Sequence, residues 1–129
     1  MRLTMPAAVL LVIAALPLAA HHSFSAEFDA KKPVTLAGEV VMMEWVNPHS
    51  WLHIDVKKPD GTVERWKIEG GSPSVLMRLG WNRSSLPAGT KVTVVGSQAK
   101  DGSLRASSRS LTFPDGRKMD LGGSGSAAK

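Results

Sequence analysis

The chain carries four histidines, and their placement is the first feature in it that could do chemistry. His21 and His22 are adjacent. His49 and His53 lie four apart within Trp45-Val46-Asn47-Pro48-His49-Ser50-Trp51-Leu52-His53. Imidazole suits copper and zinc, and copper heads the divalent affinity series. A histidine at the start of a mature chain offers two nitrogens, its α-amine and ring Nδ1, and a third nitrogen from another imidazole completes a T-shaped copper set. Both kinds of group lose their protons near neutral pH, as ligation requires. The metal candidates are therefore His21, His22 and His49. In a regular strand His53 would stand about 13 Å from His49 on one face, too far for parallel side chains to share an ion. His49 is preferred because it follows Asn-Pro in a loop, where a ligand can swing into place. Glu44 and Asp55 are the carboxylates that could orient a ring from behind.

The plain alternative gives these residues no ligand. His21-His22 is then an exposed tail, His49 caps a turn, and His53 is a half-buried sheet residue. CxxC, HExxH and Gly-rich phosphate loops are absent. No serine–histidine pair sits in a nucleophile-elbow context. Nothing in the sequence nominates a catalytic residue, and the expectation is a protein that is not an enzyme.

The metal reading depends on where the mature chain starts. Arg2 precedes an apolar run from Ala7 to Leu16 and then Pro17-Leu18-Ala19-Ala20, the charged, apolar and small-residue layout of a signal peptide. The run is shorter than the roughly 20 apolar residues of a membrane span. Cleavage after Ala20 puts Leu18 three residues back and makes His21 the first mature residue, exported to the periplasm or beyond with no membrane anchor. The chain has no cysteine, so stability in an oxidising compartment has to come from the core. Its formal charge is +5, but the lysines and arginines are scattered. That mild basicity suits an anionic partner and makes no nucleic-acid signature.

The elements that must position these residues are mostly strands. Residues 21–33 read as an extended N-terminal arm that pins Phe24 and Phe28, preferred over one helical turn because so short a helix is marginal alone. Residues 34–46 read as a first strand whose inward parity shifts near Val41-Met42, as a β-bulge would produce. Residues 51–57 alternate, with Leu52, Ile54 and Val56 on one face and Trp51, His53 and Asp55 on the other. Pro59-Asp60-Gly61 is turn chemistry. The next strand, residues 62–70, buries Trp66 and Ile68 and turns Arg65, Lys67 and Glu69 outward. Ser72 as N-cap, Pro73 at the first helical position and Gly80 at C′ punctuate one short helix. Trp81 follows as C″ and reads as a core plug. Residues 89–96 and 104–113 are two further strands about Asp101-Gly102, with a short return strand optional over residues 117–121. The Gly/Ser/Ala-rich residues 122–129 read as a disordered tail.

This order, with 34–121 as the folded domain, predicts a mainly β, five-stranded OB-like Greek-key barrel with one short helix between strands three and four. A small β-sandwich is the runner-up. Several motifs add a resemblance: His21-His22-Ser23-Phe24-Ser25-Ala26-Glu27-Phe28-Asp29, Glu44-Trp45-Val46-Asn47-Pro48-His49, Gly71-Ser72-Pro73, Gly80-Trp81, and Arg105-Ala106 through Pro114-Asp115-Gly116-Arg117. Together they resemble a family of small exported bacterial proteins known as a domain of unknown function. The resemblance covers nearly all of the chain after residue 20 and implies export and a small β-rich domain.

Two functions of different class follow. The first is an exported binding or accessory module whose ligand face is Trp51, His53, Arg65, Lys67 and Glu69, taking a small anionic or sugar-like ligand or a periplasmic protein. The second is a copper or zinc binder using His21, His22 and His49. Nucleic-acid binding is not expected, because Trp51 is the one stacking platform on that face and OB-fold binders combine several with a basic groove.

Overall fold

The structure, a computed structural model, describes residues 24–126. The signal-peptide reading, the ligand candidates His21 and His22, and residues 127–129 lie outside the described residues. After a helical turn at residues 24–27 come β1 (Phe28–Glu44), β2 (Trp51–Lys57), β3 (Val63–Glu69), α1 (Pro73–Arg78), β4 (Lys91–Ala99), β5 (Arg105–Thr112) and β6 (Lys118–Met119). The fold is mainly β. Its six strands form one sheet in the order β3-β2-β1-β4-β5-β6, with antiparallel neighbours. β3 and β5 also pair in parallel, Lys67 opposite Arg105 and Glu69 opposite Ser107, so β5 meets both β4 and β3.

The alternation read from the sequence decides which side of each strand is buried. Leu52 and Ile54 of β2, Ile68 of β3, Val94 of β4 and Leu111 of β5 are each 0% exposed. They pack with Leu36, Val40, Trp66, Leu76 and Trp81 into one core. Truncating one such side chain, as in Leu52→Ala, costs about 2–5 kcal/mol in a close-packed interior. The parity shift in β1 is present as a register shift between Val40 and Met42 against β2. It lets Leu36 and Val40 point inward before it, while Met43 and Trp45 still reach the core after it. Gly38 sits where β1 closes on β2, and a Cβ there would lie 2.8 Å from the Asp55 carbonyl oxygen.

The helix is built as its punctuation indicates. Ser72 Oγ accepts from the Val75 N–H at 3.3 Å, and Pro73 opens the helix. Gly80 takes φ +93°. Trp81 N–H donates to Leu76 O at 3.0 Å and Gly80 N–H to Met77 O at 3.1 Å, the paired bonds of a Schellman stop. Trp81 is 3% exposed, lies 5.9 Å from the Phe113 ring and donates through Nε1 to Asp120 O at 2.7 Å. It is the core plug its position implies.

Three expectations need correction. There are six strands, not five, because the return strand forms: Leu111 and Thr112 pair with Met119 and Lys118. β1 begins at Phe28 after the helical turn at residues 24–27, so the described part of the expected extended arm is a turn of helix followed by strand. Phe28 opposes Ala99 and Pro33 opposes Ser97, pairing supplied by a distant segment and invisible in local alternation. Residues 122–126 are not a loose tail. Leu121 is 0% and Ser126 4% exposed, and Gly71 N–H donates to Leu121 O at 2.7 Å. A Cβ on Gly123 would stand 2.6 Å from Glu69 O, and one on Gly125 2.7 Å from the Phe24 ring. The glycines are there because the channel they thread has no room for a side chain.

Candidate functional site

β2 and β3 form a two-stranded ladder whose register fixes the outward residues as cross-strand partners. Trp51 opposes Glu69, His53 opposes Lys67, and Asp55 opposes Arg65. Directly opposed side chains sit within about 5.5 Å at Cβ, so the expected ligand-face residues do come together. Asp55 accepts from Arg65 Nε at 2.8 Å and from its NH2 nitrogen at 3.0 Å, a fork-to-fork pair. The Arg65 bonds hold the Asp55 carboxyl below the usual carboxylate range, and Asp55 in turn raises Arg65. The Lys67 ammonium lies 4.9 Å from the centre of the Trp51 ring, within cation–π reach.

His53 turns toward β1. Its Nε2 hydrogen-bonds Glu44 Oε1, and both side chains are partly buried. Glu44 therefore does hold a histidine ring, but it is His53 and not His49. Asp55 is committed to Arg65 rather than to any ring.

Glu69 departs from the expected face. It is 2% exposed, because the segment after Leu121 folds over it. Its Oε1 accepts from Ser107 Oγ at 3.2 Å and from the Ser124 N–H at 2.5 Å. Gly125 N–H donates to Ser107 Oγ at 3.0 Å, tying the same segment down again. Parity put Glu69 on the right side of the strand. What parity could not supply was the covering segment, whose composition reads as disorder. Ser107 and Ser124 were missed for the same reason, and the crowding of Gly123 and Gly125 is visible only in three dimensions.

His49 lies in the loop between β1 and β2, partly buried. Its Nδ1 stands 3.2 Å from Gly70 O. A carbonyl oxygen only accepts, so in a neutral ring Nδ1 carries the proton and Nε2 keeps its lone pair. Among the described residues no group of three or more His, Cys, Asp or Glu side chains is placed to hold a metal ion.

Residues 8–108 match the model of a family of unknown function, DUF6152. The chain belongs to that family. The matched span takes in all of β1 to β4, α1 and the start of β5, and with them the whole β2–β3 face. No curated protein and no solved structure matches the chain.

Proposed function

We propose that this DUF6152 member is an exported, non-enzymatic binding or accessory module, built on an OB-like Greek-key barrel with β6 appended. Its ligand surface is the outer face of β2 and β3, where OB-folds bind. The observation that carries the reading is the cross-strand register, which sets Trp51, His53 and Asp55 beside Lys67 and Arg65 on one face. Two features support the barrel: the strand order and the parallel return of β5 onto β3. The charged-then-apolar leader supports export.

A small anionic saccharide or a comparable ligand suits this face. Lys67 and the Arg65 N–H groups left over from its Asp55 pair donate, and the indole of Trp51 offers a flat apolar surface with a polar edge. An NMR titration of the isotope-labelled protein with short oligogalacturonates tests it. Saturable shifts at the amides of residues 51, 53, 65 and 67, weakened at least tenfold by Trp51→Ala, are the expected result. Shifts that avoid this face would overturn the assignment.

A second reading rests on His49. Its Nδ1 contact with a backbone carbonyl is the arrangement that presents Nε2 to a metal, so His49 is suited to complete a copper or zinc site with His21 and His22. Tag-free exported protein, sized by intact mass and titrated with Cu(II) under electron paramagnetic resonance, is the test. A chain starting at His21 with a nitrogen-rich signal lost in His49→Ala supports the site. Copper binding that survives both His49→Ala and an added N-terminal residue rejects it.

A further inference from the structure

A different part of the sheet carries a built concavity. The outer side of β2, β1, β4 and β5 holds an open trough of about 420 Å³. Register defines its floor. Glu39 of β1 lies between Asp55 of β2 and Lys91 of β4, one row of three across the sheet. The next row runs from Ala37 to Thr93 and Thr112. Lys57 stands two residues beyond Asp55 on β2, hence on the same face and beside Ala37. Ala37, with the smallest side chain in its row, leaves the depression. Pro114 walls its β5 end, with the buried Phe113 behind it under the Arg117 guanidinium.

The charges are unspent. Glu39, Lys57 and Lys91 are exposed and form no ion pair among the described residues. Asp55, by contrast, is already held by Arg65. A simple anion entering the trough would meet Glu39, and a simple cation would meet two lysines. A ligand carrying both signs meets a partner for each. Neighbouring strands lie about 4.8 Å apart and alternate residues roughly 7 Å along a strand, and the long, exposed side chains of Lys57 and Glu39 span that gap toward a compact ligand. A carboxylate resting over Ala37 is then flanked by the Lys57 ammonium and the Thr93 hydroxyl. An ammonium one step along β1 reaches the Glu39 carboxylate. Whatever lies beyond the α-carbon points toward Thr112 and Pro114.

We propose that this trough binds a small zwitterion of the α-amino-acid class, its carboxylate on Lys57 and Thr93, its ammonium on Glu39, and an apolar side chain against Pro114. The site shares only Asp55 with the Trp51 face, as a wall already held by Arg65, and it uses none of the histidines.

The experiment is an amide NMR titration of the full chain with L-leucine and with its two half-ligands. These are 4-methylpentanoate, which lacks the ammonium, and isoamylamine, which lacks the carboxylate. Leucine is expected to shift residues 37–39, 93 and 112 saturably, with each half-ligand at least tenfold weaker. Lys57→Met should weaken leucine at least tenfold and leave isoamylamine unchanged. Glu39→Gln should weaken leucine similarly and leave 4-methylpentanoate unchanged or improved. All the altered side chains are exposed, so the fold stays intact in each variant. No saturable shift, shifts confined to other residues, or 4-methylpentanoate binding as well as leucine would each overturn the proposal.

Discussion

Ser108 is wholly buried on β5, and its Oγ finds no hydrogen-bond partner among the described residues. A hydroxyl stripped of water and left unpaired costs about 1–3 kcal/mol. Ser108→Ala removes that cost at almost no loss of volume. The variant is expected to unfold at higher urea than the parent, with an unchanged slope, in an equilibrium denaturation. A lower midpoint would mean that the hydroxyl is satisfied. Asp55 makes the opposite case, a charged group well supplied. Its carboxyl is depressed in the fold by Arg65, so its contribution to stability is complete above the unfolded value of about 3.9 and fades as pH falls through the lower folded value. Arg65→Ala should move the Asp55 titration, followed by its carboxyl carbon resonance, upward toward the ordinary range. An unmoved titration would show that the pair does not form. At this scale the outward set of β2 and the arginine and lysine of β3 were legible from alternation alone. Glu69 was legible as to side but not as to burial, since the residues that cover it lie more than fifty positions away.

The elements were legible in proportion to how locally they are determined. α1 is written in Ser72, Pro73 and Gly80, and each of the three makes the contact its type implies. Gly80→Ala forces a side chain into left-handed backbone and is expected to cost about 1–2 kcal/mol, read as a drop in the denaturation midpoint. The start of β1 is written nowhere nearby, because residues 29–33 are mostly exposed and polar, and its pairing at Phe28 and Pro33 comes from Ala99 and Ser97 of β4. Gly96 marks a tighter constraint. The register of β4 against β5 shifts between Val95 and Gly96, and a Cβ on Gly96 would lie 2.2 Å from Ser107 O. Gly96→Ala must push two strands apart, a strain at or above the roughly 3 kcal/mol upper end of ordinary overpacking. It should cost more than Gly80→Ala in the same assay.

For the molecule as a whole, the segment after Leu121 acts as a staple across β3 and β5. Ser124 reaches Glu69 and Gly125 reaches Ser107, two strands that also pair directly at Glu69 and Ser107. Gly123→Ala would drive a methyl into the Glu69 carbonyl and is expected to lift this staple. Amide exchange should then accelerate at residues 122–126 and at Glu69, while Leu52 and Ile54 stay protected. Uniform acceleration would instead mean that the segment and the core unfold as one unit. Composition concealed this feature, because glycine and serine spell flexibility when the chain is free and close approach when it is packed. The mainly β class and the helix between β3 and β4 were legible. The parallel meeting of β3 with β5 and the covering of Glu69 were not, since both join residues far apart in the chain.

The pairing of β1 also sets an order of events during synthesis. Phe28 meets Ala99 and Glu39 meets Lys91, so the first half of β1 is made long before its partner exists. At ~5–20 residues per second that half-strand stands alone for several seconds, with its ladder groups unanswered. Lys31 and Lys32, both exposed, lie within this stretch, and lysines on an unpaired strand discourage other chains from adding to it. Lys31 thus guards the nascent strand, while Lys32 goes on to donate to Lys100 O in the finished fold.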